Sequence, residues 1–517
     1  MTARGTQMLL PDGLSGSAAA DALAAEIAIV TQRARTIERT FWDTFDGRLH
    51  DAGLALIVTR GRLALADATT YEEEVGDALQ PVAEWLFADD VPVGPLRERL
   101  AALLEMRAAM PIARVRSRLL AVSVLDEEGK TVVRLRVEEP AAVAGPSAAS
   151  PAPLRPRLHV IGVRGYDGEL EDVRALLTRR LGLVEAQRPV QDDAVAASGG
   201  TPGGTSSKLR VKLRPEQRAD AAAVMVLTHL LATIEANLPG TLADVDTEFL
   251  HDLRVAVRRS RALQRELSGV FEPEPLRRFR AGFKNLQAVT GPTRDLDVQL
   301  LEFEELTRDL PPTIAPDVAP LHTLLQRRRE VARAQMVAAL NSPGIGTLLE
   351  DWAEHLDELT TADEANRPNA AGAVGEVAGA RIAKVYKRMV RMGKAIDDGS
   401  PHEALHDLRK QSKELRYLLE FFSSLYPADV HRPMVSSLKA LQDVLGRFQD
   451  REVQAVQLRS IGDEIAALDG GAAALMAMGV LVQRLADDQQ RAREQFAERF
   501  EAFASKERRK LVKRTFA

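Results

Sequence analysis

Hydrophobic and polar positions follow two different rhythms along this chain. Up to about residue 186, apolar residues alternate with polar ones in short runs punctuated by Gly, Pro and Asp. That alternation marks half-buried β-strands. It predicts a strand and turn over 8–13 and strands over 40–46, 54–59, 62–66, 112–125, 131–137 and 157–164. Arg60-Gly61 and residues 126–130 fall where hairpin turns are needed. Helices are expected at 18–33, 48–52, 95–109 and 170–181, the third with Pro95 at its first position. Residues 141–156, rich in Ala, Pro and Ser, read as a loop. From about residue 215 the apolar positions recur every three or four residues, the period of an amphipathic helix. Helices are predicted over 215–237, 250–270, 275–289, 294–309, 321–339, 346–359 and 376–394, with a further C-terminal helix. Between the two regimes Gly and Ser crowd residues 198–207, so 187–208 reads as a flexible linker and the clearest domain boundary.

The helical half is written twice. His251–Arg265 reads HDLRVAVRRSRALQR, and 155 positions later His406–Glu420 reads HDLRKQSKELRYLLE. The offset continues through Lys284/Lys439, Leu286-Gln287/Leu441-Gln442, Gly291/Gly446 and Asp295/Asp450, giving 16 identities in 49 aligned positions. A repeat this long implies two units of one kind, at about 209–310 and 375–470. In the first copy His251, Arg254, Arg258 and Arg261 share one helical face, and in the second His406, Arg409, Lys413 and Arg416 do. Another face, with Leu253, Val257, Leu267 and Phe271 or Leu408, Leu419, Phe422 and Tyr426, is largely apolar and belongs in a core. Like charges three and four apart destabilise an isolated helix. Two such stripes therefore point to a polyanion that neutralises them.

The pattern His-x-x-Arg-x-x-x-Arg/Lys-x-x-Arg, present twice and each time followed by Lys-x-Leu-Gln-x-x-x-Gly, resembles the CHAD domain (conserved histidine α-helical domain) from roughly Leu209 to the C-terminus. The resemblance implies an all-α fold of two four-helix bundles related by a pseudo-two-fold axis. It also implies a basic groove that binds inorganic polyphosphate, and association with polyphosphate granules. Carried over by position, the binding residues are His251, Arg254, Arg258, Arg261, Lys284 and Arg294 in the first copy. In the second they are His406, Arg409, Lys413, Arg416 and Lys439. Gln449 stands where the first copy has Arg294, and Arg447 nearby is expected to compensate.

Phe41–Gly61, FWDTFDGRLHDAGLALIVTRG, resembles a segment of the CYTH domain of the triphosphate tunnel metalloenzymes. Active members of that family are eight-stranded antiparallel barrels. They hydrolyse triphosphate-type substrates with Mg²⁺ or Mn²⁺ held by Glu side chains, and they open on Glu-x-Glu-x-Lys. Here no Glu precedes Glu26, and Leu158–Ile161 carries no carboxylate. Hard divalent cations need carboxylate oxygens, and two-metal phosphoryl chemistry needs several. The expectation is an α+β antiparallel barrel over 1–186 that is degenerate and not an enzyme, with no metal and no cofactor. Arg114, Arg116 and Arg118 alternate along one predicted strand, and Arg134 and Arg136 along the next. Alternation puts each set on one face but leaves open which face is inside.

Composition narrows the picture further. Hydrophobic residues make up 45 % of the chain and aromatics 4 %, and the formal net charge is −5. Any polyanion site must therefore come from a local arrangement. Without cysteine there is no disulfide framework. No signal peptide and no membrane-length apolar segment are read, which leaves a soluble cytoplasmic protein at polyphosphate granules as the expectation. Lys384, Lys387, Arg388, Arg391 and Lys394 add a basic face, and SKERRKLVKRTFA at the end reads as a solvated tail. The residues also suggest two rivals. His251-Asp252 and His406-Asp407 resemble metal-ligand pairs, but neighbours on a helix point about 100° apart and the surrounding cations repel a metal. Asp252 and Asp407 are placed instead near helix N-termini, where the dipole favours a carboxylate. Nucleic acid is disfavoured because the stripes lack aromatic platforms for bases, apart from Tyr417. The expected partner is inorganic polyphosphate, with granule proteins beside it. A metal-dependent triphosphate or polyphosphate hydrolase in the first unit, non-specific nucleic-acid binding and a scaffold for acidic proteins remain as alternatives.

Overall fold

The computed structural model describes residues 5–78, 84–143, 151–308, 310–397 and 399–516, and divides at Ser206/Ser207 into two units. The first unit is built on one antiparallel sheet. Its strands are β1 (Thr6–Leu9), β2 (Ile29–Thr31), β3 (Arg35–Thr44), β4 (Leu54–Thr59), β5 (Arg62–Asp67) and β6 (Glu73–Ala78). They continue with β7 (Ala109–Leu125), β8 (Thr131–Ala142), β9 (Ala152–Pro153), β10 (Arg157–Gly162) and β11 (Val184–Glu185). The strand order is β11-β1-β10-β8-β7-β3-β4-β5-β6, with β2 on β7 and β9 on β8. Among the described residues β6 and β11 are free edges, so the sheet is open and the closed eight-stranded barrel is not formed. It still curls. The turn after β5 reaches back to the opposite end, where Gln7 on β1 donates to the Thr69 carbonyl and the Tyr71 ring lies 5.7 Å from His159 on β10.

Register decides which face is inside. Arg118 pairs with Glu139 and Arg136 with Ala121 across β7 and β8, and residues opposite one another share a face. Arg114, Arg116 and Arg118 therefore stand on the face opposite to Arg134 and Arg136. The first set is exposed on the outer face, next to the core that α1 (Gly16–Ala24) and α4 (Asp167–Leu181) build with Val122, Val133, Val137 and Leu158. The second set shares the inner face with Arg39, Ser117, Glu138, Arg157 and His159.

Several expected boundaries move. The helix read over 18–33 ends at Ala24, because Ile29, Val30 and Thr31 are β-branched residues that serve better as β2. The short α2 (Arg48–Asp51) forms as expected, but α3 (Pro95–Leu104) stops early since Ala109 already pairs with Leu86 and opens β7. The largest change concerns residues 187–208, which are not a slack linker. They form α5 (Val190–Ala197), whose Val190, Ala194 and Val195 are buried against Phe41, Ala55 and Val115. Arg157 binds Asp193 at 2.6 Å. The Gly203-Gly204 turn passes so close to Gly47 that a Cβ there would sit 2.0 Å from the Gly203 carbonyl oxygen. Glycines that composition reads as flexibility are needed here for close backbone approach.

The second unit is helical: α6 (Ala219–Ala243), α7 (Thr247–Glu266), α8 (Pro273–Val289), α9 (Gly291–Thr307), α10 (Ala319–Leu340) and α11 (Pro343–Glu358). Then follow α12 (Val374–Lys394), α13 (His402–Phe421), α14 (Ala428–Ser460), α15 (Gly462–Ala466), α16 (Gly471–Phe503) and α17 (Lys506–Phe516). The offset of 155 governs the elements themselves, since α6, α7 and α8 start 155 positions before α12, α13 and α14. A pseudo-two-fold axis is visible in the hydrogen bonds. Arg218 bridges to its own counterpart Ala373, while Ala219 N–H donates to the Gly372 carbonyl and Val374 N–H to that of Gln217, both at 2.8 Å. Across the same axis Arg259 binds Glu420 at 2.7 Å and Arg265 binds Glu414 at 3.1 Å.

The copies diverge after the third helix. α14 runs 33 residues without a break, where the first copy has α8 and α9. Pro292 explains the break, because it has no N–H for the carbonyl four residues back and its ring collides with that carbonyl. Arg447 occupies the equivalent place in α14. Three further expectations change. Asp246, not Asp252, caps α7, accepting from the backbone N–H groups of Glu248 at 2.9 Å and Phe249 at 3.2 Å. α6 is long and apolar enough to cross a membrane by length and composition, although half of that window is buried in the helical core. The basic C-terminal run is not a solvated tail but α17, held by buried Val512 and Phe516, the latter ring 4.5 Å from Tyr426.

Candidate functional site

The pseudo-two-fold brings α7 and α13 together, and their cationic stripes meet across it. A cleft of about 290 Å³ lies between them, lined by His251, Arg258 and Arg259 of α7 and by Arg409, Lys413 and Arg416 of α13. Gln442 and Asp443 of α14 also border it. Each helix turns this face outward because its other face is fixed by burial. Leu253, Val257 and Leu263 on α7, and Leu408, Leu415 and Leu419 on α13, lie in one core.

Charge in the cleft is unbalanced. Five Arg and Lys side chains face two carboxylates, Glu420 and Asp443. Glu420 is already held by Arg259 and Arg416, each at 2.7 Å. Burial, then the nearby Arg409 and Arg258, push the Lys413 ammonium down to about 8. A lysine held down in this way gains from any anion that enters.

The remaining residues expected at the site divide into three groups. Arg254 is buried, and donates to the Gln287 carbonyl at 2.8 Å and to Thr290 Oγ1 at 2.9 Å. Burial and then Arg258 lower its guanidinium to about 10. Its counterpart Arg409 stays at the cleft with Asp450 at 2.9 Å. Arg261 is tied to the Gln287 side chain, and Arg294 to the Thr247 carbonyl at 3.1 Å and Glu248 at 3.7 Å. His406 faces Gln449, with Nδ1 2.6 Å from Oε1. Lys284 and Lys439 are exposed but do not line the cleft. Arg447 is exposed and, like Arg294, lies outside the cleft lining.

Sequence reasoning missed Arg259 and Glu420 as cleft residues, whereas Tyr417, noted beside the stripe, does line the cleft. A signal for the two missed residues was present. The offset sets Arg259 against Glu414 and Arg265 against Glu420, opposite charges at equivalent positions, as cross-axis ion pairs require.

The inner face of the first unit holds a closed network. Glu138 accepts from Arg39, from Ser117 at 2.5 Å and from His159 at 2.5 Å. Burial raises its carboxyl, but Arg39 and His159 more than offset this and hold it below the usual carboxylate range. Both oxygens are engaged, which leaves this carboxylate poorly suited to ligate a metal. Among the described residues, no group of three or more His, Asp or Glu is placed to hold a metal ion.

The family model for the CHAD domain matches residues 225–459. The chain is similar to the crystal structure of the CHAD domain from the plant Ricinus communis, with 22 % identity, 57 % of this chain and 96 % of that chain covered, and a TM-score of 0.49. It is also similar to PptA from Streptomyces chartreusis, with 17 % identity, 55 % and 100 % covered, and a TM-score of 0.44. No curated protein matches the chain in sequence. With the doubled helices, the symmetry-related hydrogen bonds and the family match in agreement, residues 225–459 are a CHAD domain.

Proposed function

We propose that the helical unit binds inorganic polyphosphate in the α7–α13 cleft, without enzymatic turnover, and that through this binding the protein associates with polyphosphate granules in the cytoplasm. The observation that carries the reading is that cations from both copies line one cleft and outnumber its carboxylates. Arginine offers planar sets of donors to phosphate oxygens. Nucleic acid fits less well, because Tyr417 is the one aromatic cleft-lining residue among those described, and its ring stacks on Phe421 at 6.2 Å. The engagement of both Glu138 oxygens supports a first unit that does not hydrolyse triphosphates.

The test is R258E/R409E/R416E in the full chain. Each charged hydrogen bond removed is worth about 1.5–3 kcal/mol, so affinity for polyphosphate falls on the order of a thousandfold while far-ultraviolet circular dichroism is unchanged. Retained affinity in the folded variant rejects the cleft. Affinity should also drop steeply with salt through counterion release. Phosphate release from ATP or triphosphate with Mg²⁺ or Mn²⁺, lost in E138Q, would make the first unit a hydrolase instead.

A further inference from the structure

A second concentration of positive charge lies outside the cleft. Lys384, Lys387, Arg388, Arg391 and Lys394 are exposed along one face of α12, three and four residues apart. Lys506, Arg509, Lys510, Lys513 and Arg514 are exposed on α17. The two helices are packed together. A Cβ on Gly379 of α12 would lie 3.1 Å from the Phe516 carbonyl oxygen, and Arg508 and Arg509 act electrostatically on Tyr386. These cations therefore sit on a formed surface.

Three observations set this surface apart from the cleft. None of these cations lines the cleft. Among the described residues none of the ten cations has an ion pair, whereas Arg381 on the same helix binds Glu266 at 2.6 Å. The first copy has no equivalent, since 155 positions before the α12 stripe stand His229, Ala232, Thr233, Ala236 and Pro239. The stripe belongs to the second copy alone. Unneutralised like charges at this spacing oppose the helix that carries them, so a bound polyanion would relieve that repulsion.

We propose that the α12–α17 surface is a second docking surface for inorganic polyphosphate, so that one protein molecule holds two chains and cross-links them. This rests on polyphosphate being the ligand of the cleft. The surface chemistry favours a phosphate chain without bases. Tyr386 and Phe516 are buried, so they offer no stacking platform. Val512 and Phe516 are buried and Leu511 is half-buried, so α17 offers a bilayer no fully exposed bulky apolar anchor.

The experiment titrates the full chain with short polyphosphate of defined length, counts sites by calorimetry, and follows light scattering with long chains. Wild type is expected to bind two short chains and to scatter strongly with long ones. The variant K384Q/K387Q/R391Q/K510Q/K513Q is expected to bind one, at unchanged affinity, and to lose the scattering. R258E/R409E/R416E is expected to keep one site. Unchanged stoichiometry and scattering in the Gln variant overturn the second surface and leave the cleft standing. The reverse outcome, two sites in the cleft variant and one in the Gln variant, overturns the cleft and not this surface. Tighter binding of single-stranded DNA or phosphatidylserine vesicles than of polyphosphate, lost in the Gln variant, overturns the assigned ligand. Removing like charges favours both helices, and circular dichroism checks the fold. If the fivefold variant fails to fold, K384Q/K387Q and K510Q/K513Q carry the same readout separately.

Discussion

Arg254 and Arg409 hold the same place in two copies of one helix, yet they do different things. Arg254 is buried and bonded to the end of α8, at the Gln287 carbonyl and Thr290. Arg409 stays in the cleft and meets Asp450. The cause lies on a neighbouring helix. Pro292 ends α8 and exposes carbonyls that a continuing helix would use, and Arg254 turns to them. In the second copy α14 runs on through Arg447, its carbonyls stay within the helix, and Arg409 remains available. A repeat can thus preserve a residue while moving it from an open cleft into packing.

Breaking α14 is the most direct way to erase this difference. R447P should cost about 3 kcal/mol, seen as a lower denaturant midpoint for the helical transition, because the second copy has Leu445 where the first has Thr290, whose hydroxyl donates to the Leu286 carbonyl. An unshifted midpoint would mean that the proline does not cause the break. Next in size is the pair of arginines. R254A should cost about 2 kcal/mol of stability through its lost charged hydrogen bonds, whereas R409A should cost about 0.5 kcal/mol and act chiefly on polyphosphate affinity. Equal destabilisation by both would remove the contrast.

The pH dependence should come from the second copy, through Lys413. Its ammonium is held down at about 8 in the free cleft, and a polyanion that favours the charged form raises it on binding. Binding then takes up a proton, so affinity weakens as pH rises through about 8, by at most about tenfold per pH unit. K413R should flatten the profile between neutral and alkaline pH. The smallest effect concerns the cross-axis ion pairs. R259E should cost about 0.5 kcal/mol, and R259E/E420R should recover much of it. Additive losses in the double variant would show that the two charges are not coupled.

Much of this molecule was legible as pattern. The period of three to four gave the helices, and the offset of 155 gave the doubled architecture down to the starting residues of α7 and α13. His251, Arg258, Arg409, Lys413 and Arg416 could be picked out because residues on one helical face stay together whatever the helix packs against. In the first unit, alternation located most strands but could not assign their faces. Arg114, Arg116 and Arg118 turned out to lie outside and Arg134 and Arg136 inside, a choice made by cross-strand register.

What local sequence determined here is periodicity, charge spacing and repetition, because each depends only on residues a few positions apart or on copies of the same string. Tertiary structure decided the rest. It folded Val190–Ala197 onto the inner face although composition marked the region as slack, since a few apolar contacts outweigh the flexibility of the neighbouring glycines. It drew Arg254 into the core and laid α17 on α12. In both cases the outcome depended on a partner far away in the chain, a carbonyl freed by Pro292 or a pocket for Phe516, and no local rule encodes where such partners will stand.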